Sequence, residues 1–409
     1  MRWLRTAVAL ALGAFGCVVP VALAAPVAAQ TSSQSCDAER PALVDTPPLA
    51  FAQLGVEYAW TLSRGSGVVV AVVDSGVNTA NAHLRDAVTG GVNVVRPQEP
   101  ATVDAYGHGT TTGGIIAARR VDGSGLVGVA PAASLLVARV FYGEDEQSER
   151  DGVADSPERI AAGIRWAAEN GARIINVSMS TTADLPELHA AVDAATTNGA
   201  LVVASVGNLG TSEVQADVPR YPAAYPGVLA VTGVGLDGTW VPGTAVRGEY
   251  VDVAAPGQDV LSAFAGGGDC RFDGSAPSTS WATAYVSGAA ALVAARYPHE
   301  APAQWAHRLM VTASRTQPWE RDDQVGWGII QPYEALTFVD DGSAPGPQSP
   351  VFERADPPPA ATSAIDLSET SDPMIPARQL VMWWLLGGAA FLCIVMLLAR
   401  MGRSAPRRR

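Results

Sequence analysis

Val68-Val69-Val70-Ala71-Val72-Val73-Asp74-Ser75-Gly76 is an unbroken apolar, β-branched run that stops on a carboxylate and a turn. Apolar sequence without polar alternation marks a strand buried on both faces, as in a parallel sheet covered by helices on either side. Similar runs recur at 135–141, 174–177, 201–205, 228–234 and 250–254. Between them, helical spacing covers 108–119, 157–170, 186–198, 280–296 and 303–312. The alternation predicts an α/β domain of three layers, a mostly parallel sheet between helices, with its functional site at the carboxyl ends of the strands.

Three stretches carry candidate chemistry, each at an element boundary. Asp74 closes the first strand, His108 opens a helix in Gly107-His108-Gly109-Thr110, and Ser280 opens another in Ser278-Thr279-Ser280-Trp281-Ala282. Singly they read as a turn, a capping histidine and an N-cap serine. Together, in the order Asp, His, Ser, they are a nucleophile, a general base and the group that orients the base. The helix start at Ser280 adds the positive end of a dipole and unpaired N–H groups. Asn208, in the strand-to-turn stretch Ala204-Ser205-Val206-Gly207-Asn208, reads by itself as a common turn, but its amide is placed where it can donate to a developing oxyanion.

Composition sets the outer limits. The chain has 409 residues, 48% of them hydrophobic, enough for one large domain with appendages. A formal charge of −13 argues against nucleic acid as a partner, because phosphate is repelled. Arg2 and Arg5, an apolar stretch at 7–23 and an Ala-rich end predict a secretory signal peptide over 1–29, cleaved after Ala24 or Ala29. A lipoprotein reading at Cys17 fits less well, with bulky Phe15 close before it. At the other end, 380–399 carries no charge and Arg400, Arg403 and 407–409 follow it. This predicts a membrane helix over 378–400 with an Arg-rich cytoplasmic tail at 401–409 and the rest of the chain outside. Residues 30–65 read as an extension packed on a catalytic domain at 66–340, and 341–377, with eight Pro, as a linker. Setting aside Cys17 and Cys393 leaves Cys36 and Cys270, which allow one disulfide in an oxidising compartment, against two free thiols. The acidic loop 143–157 matches no calcium-loop spacing, so no metal is assigned, and no cofactor is called for.

These motifs resemble the subtilisin-like serine proteases, the subtilases, from about Gly67 to Leu336. The resemblance adds Gly128-Val129-Ala130-Pro131, Asn176-Val177-Ser178-Met179, Ala255-Pro256-Gly257 and the ending Gly326-Trp327-Gly328-Ile329-Ile330. Within the family, the membrane helix after a Pro-rich linker is similar to the mycosins, proteases associated with type VII secretion. The resemblance implies a subtilisin-like fold, with Asp74, His108 and Ser280 as the triad and Asn208 as the oxyanion donor. It also implies that Ser178, Met179 and Ser180 pair with an extended polypeptide substrate, by strand addition. A type VII secretion membrane complex is the implied partner, and a bracing role in that complex, with proteolysis secondary or lost, is the alternative. A sedolisin would carry Glu and Asp where His108 and Asn208 stand. The family usually has Gly-Thr-Ser-Met-Ala-x-Pro at the nucleophile; here Ser278, Trp281 and Ala284 replace Gly, Met and Pro. Ser278 and bulky Trp281 are expected to narrow the cleft or strain the turn, and Ser180, where many relatives have Gly, to shrink the pocket for the residue before the scissile bond.

Overall fold

The computed structural model describes Cys36 and residues 41–209, 217–272, 274, 276–354 and 374–402. The expected signal peptide, residues 355–373 of the linker and residues 403–409 of the tail lie outside the described residues. The chain divides into two units, meeting between Arg354 and Ala355.

In the larger unit two short helices, α1 (Ala50–Leu54) and α2 (Val56–Ala59), precede the sheet. The chain then runs β1 (Val69–Asp74), β2 (Val88–Asn93), α3 (His108–Ala117), β3 (Ser134–Arg139), α4 (Glu146–Arg150), α5 (Pro157–Glu169) and β4 (Ile174–Val177). It continues through α6 (Pro186–Thr197), β5 (Leu201–Ser205), β6 (Leu229–Val234), β7 (Val253–Pro256), β8 (Val260–Ala263) and β9 (Asp269–Phe272). The unit's last helices are α7 (Thr279–Arg296), α8 (Pro302–Val311) and α9 (Pro332–Thr337).

Seven strands form one sheet in the order β2-β3-β1-β4-β5-β6-β7, every pairing parallel. Successive side chains of a strand point to opposite faces, and the two faces bury different cores. Val70 and Val72 join α3, α7 and the extension helices on one side. Ala71 and Val73 join α5 and α6 on the other. This is the expected three-layer arrangement, and it explains why β1 shows no polar alternation.

Two features depart from the sequence reading. β2 went unrecognised because it is an edge strand, half exposed and carrying Gly90 and Gly91. The stretch around Cys270, where the sequence pattern predicts no strand, is the antiparallel hairpin β8–β9, whose connection holds Gly266, Gly267 and Gly268.

Residues 50–60 of the expected extension pack against the core of this unit. Phe51, Leu54, Val56 and Ala59 are buried, and Trp60 Nε1 donates to the Val129 carbonyl at 2.8 Å. Cys36 is disulfide-bonded to Cys270, with 5.5 Å between their Cα atoms. The linker, expected from 341 on, does not start there: residues 341–354 return onto the domain. Arg315 Nη2 donates to Pro345 O at 2.8 Å and Arg354 Nη2 to Gly346 O at 2.6 Å. Pro and Gly make poor regular structure, but their carbonyls remain acceptors, and two arginines use them.

The second unit contains α10 (Ile375–Gly402), in which residues 376–400 form a 25-residue segment whose most apolar 18-residue stretch has mean hydropathy 2.3, long and apolar enough to cross a bilayer.

Candidate active site

β1 delivers Asp74, fully buried, to the carboxyl edge of the sheet. α3 opens there with His108, whose Nδ1 lies 2.8 Å from Asp74 Oδ1 and 2.9 Å from Oδ2. The carboxylate also accepts the Ser75 N–H at 2.7 Å, which holds it in place. Gly109 permits this approach, since a Cβ there would overlap the Gly76 carbonyl and come within 3.0 Å of Asp74 Cβ. Facing a carboxylate, Nδ1 carries the proton and Nε2 is left as the basic atom. Burial lowers the imidazole pKa, but the Asp74 charge and hydrogen bond, with Glu144 and Asp104 behind, outweigh it and raise it above 6.5.

Asp104 also serves the site, and sequence reasoning missed it. Buried in the loop before α3, it accepts from Ser75 Oγ (3.0 Å), Gly107 N (2.8 Å), Thr110 N (2.9 Å) and Thr110 Oγ1 (2.6 Å). One carboxylate thus fixes both the turn after Asp74 and the first turn of the helix that carries His108. An acid just ahead of a helix start was the available signal.

Ser280 is the second residue of α7, which contacts β4, β5 and β6. Its Oγ donates to the Ser178 carbonyl at 3.0 Å. Among the described residues no hydrogen bond joins Ser280 Oγ to the His108 ring. Buried polar contacts rivet α7 to β4: Ser287 Oγ donates to Asn176 Oδ1 at 2.8 Å, Asn176 Nδ2 to Ser178 Oγ at 2.9 Å, and Ser178 Oγ to Ser280 O at 3.2 Å. The expectation of a strained turn at Ser278 is corrected here. Its φ of −93° and ψ of 128° are ordinary extended values open to any residue.

Asn208 follows β5. Its Oδ1 accepts from Thr279 N at 2.8 Å and Thr279 Oγ1 at 3.0 Å. This leaves the Nδ2 hydrogens without an acceptor among the described residues. Ser178, buried Met179 and Ser180 continue from β4. Ser180 Oγ lies against Gly207, where an added Cβ would come within 2.6 Å of it.

The site residues thus gather at the ends of three neighbouring strands, β1, β4 and β5. Beside His108 opens a cavity of about 610 Å³ lined by Tyr106, Thr111, Phe264, Phe272 and Trp281. The Trp281 ring is stacked on His108, centroids 4.8 Å apart. The acidic loop forms α4, capped by Asp145, which accepts the Ser148 N–H at 2.7 Å. Burial, opposed by His108, raises the Glu144 carboxyl, and burial with Glu144 raises the Tyr106 phenol.

Residues 65–328 match the subtilase family. The chain is a subtilase. This subtilase is 34% identical to mycosin-1 of Mycobacterium tuberculosis over 362 residues, spanning 78% of this chain and 79% of that one. The crystal structure of MycP1 from Mycobacterium smegmatis superposes with a TM-score of 0.63 at 29% identity, over 78% of this subtilase and 92% of that chain. A chain in the periplasmic assembly of the ESX-5 inner membrane complex superposes with a TM-score of 0.64 at 28% identity, over 77% and 90% of the two chains. It is thus a subtilisin-like serine protease related to the mycosins of type VII secretion.

Proposed function

We propose that the protein is a membrane-anchored extracytoplasmic serine endopeptidase that processes exported polypeptides of a type VII secretion system. Asp74, His108 and Ser280 are its triad. The observation that carries this reading is the Asp74 carboxylate within 2.9 Å of His108 Nδ1 through both oxygens. That contact sets the tautomer in which Nε2 accepts a proton.

In the mechanism, Ser280 Oγ turns from the Ser178 carbonyl toward His108 Nε2. It gives up its proton there and attacks the scissile carbonyl. The Nδ2 hydrogens of Asn208 and the N–H groups at the start of α7 meet the oxyanion. His108 then protonates the leaving amine, and water, activated by the same nitrogen, releases the acyl group. Residues 178–180 hold the substrate as an added strand.

The length and hydropathy of residues 376–400 support anchoring, with the Arg-rich end cytoplasmic. The likeness to a chain of the ESX-5 periplasmic assembly supports placement in a secretion complex, where the protein also acts as a brace.

The test is labelling of the full chain with a fluorophosphonate that reacts with activated serines. Labelling lost in both Ser280→Ala and His108→Ala is the expected result. A folded, unlabelled wild-type protein would overturn the protease reading in favour of the brace alone.

A further inference from the structure

We infer that Trp281 is a positioning residue for His108, and that the hairpin β8–β9 backs it against the imidazole. The inference rests on the reading of His108 as the base.

The indole follows the nucleophile on α7 and lies across the His108 ring, 4.8 Å between centroids and 29° between planes. Asp74 holds the ring through one edge only, and one edge leaves the imidazole free to tilt about that contact. A flat apolar surface against its face removes this freedom. Trp281 is itself supported: the Phe272 ring on β9 lies 5.7 Å from the indole. The partner strand reaches α3 as well, since Ser262 Oγ of β8 donates to the Thr111 carbonyl at 2.6 Å. One hairpin therefore touches the base from two sides, through the helix that carries it and through the ring stacked on it.

That hairpin is fastened to the N-terminal extension along β9. Cys270 is bonded to Cys36, the Asp269 N–H donates to Ala42 O at 2.7 Å, and the Val44 N–H donates to Asp269 Oδ2 at 2.9 Å. The extension thereby acts on the catalytic base without touching it.

The indole also bears on protonation, because a π face favours the imidazolium. The other groups facing the ring are Asp74 from β1, Asp104 and Tyr106 from the preceding loop, and Glu144 from the loop after β3. None of them is altered by substitution at Trp281.

The experiment measures the rate of fluorophosphonate labelling of the full chain in detergent, as a function of pH, for wild type, Trp281→Leu and Trp281→Phe. For Trp281→Leu we expect the high-pH rate to fall about tenfold, the scale of a displaced general base. We also expect its inflection to move down by roughly 0.5–1 unit, with Trp281→Phe restoring most of both. Leu and Phe variants matching wild type in rate and inflection would overturn the proposal. So would a slower Leu variant with an unmoved inflection that Phe does not rescue, since that marks packing alone. Should Trp281→Leu not fold, Phe272→Leu carries the same test, with a smaller shift in the same direction. Failure of wild-type labelling defeats the protease reading instead.

Discussion

His108 shows how single residues combine opposed effects. Burial disfavours the imidazolium and Asp74 favours it, and the net shift is upward. A base must be neutral to accept a proton, so activity rises with pH through a midpoint above 6.5, which a pH profile of kcat/KM reads directly. Asn208 keeps its amide oxygen on Thr279, and in the proposed mechanism its hydrogens meet the oxyanion. Asn208→Ala should lower kcat about 100- to 1000-fold in steady-state assays of a peptide substrate. Asp252 acts on stability rather than chemistry. Burial pushes its carboxyl up to about 7, against the Ala230 N–H and Arg321. The fold therefore prefers the protonated acid, so this group's stabilising effect is full below 3.8 and is lost as pH rises toward 7. Asp252→Asn keeps an oxygen for the Ala230 N–H and removes the charge. Its Tm should exceed that of wild type near pH 8 and match it near pH 4, by calorimetry.

Elements meet where glycine allows, and α3 against β1 is the decisive case. Any Cβ at Gly109 collides with the Gly76 carbonyl, so Gly109→Ala must push His108 away from Asp74. We expect a cost of ~1–3 kcal/mol with loss of labelling. Ser278→Gly, in an extended conformation, should leave labelling intact. The pair of variants, compared by chemical denaturation and probe reactivity, separates a steric requirement from a family habit. Central strands and long helices were legible in the chain because burial on both faces leaves runs of Val, Ile and Ala. β2 was not, because glycines and half-exposed positions erase the period that marks a strand, and β8 and β9 were not, because four residues each are too few to show one. Asp104 was legible only in part: its place ahead of a helix start hinted at the contacts with Gly107 and Thr110, but only the fold brings Ser75 Oγ to it.

At the scale of the molecule, the extension and the far end of the domain are joined by one covalent tie. Cys36 and Cys270 are separated by 234 residues, so their bond removes much freedom from the unfolded chain. Cys36→Ser should cost about 5 kcal/mol in the chain-entropy account, measured by denaturant unfolding. The sequence by itself determined the α/β class, the apolar C-terminal segment and the order Asp74, His108, Ser280, since these follow from local pattern and chemical identity. Only the tertiary structure decided which groups touch. It turned Ser280 Oγ to the Ser178 carbonyl, laid Trp281 on His108, closed Cys36 onto Cys270 and folded residues 341–354 back onto the domain. Such contacts join residues far apart in the chain, and their geometry depends on sheet order and helix packing, which local pattern does not encode.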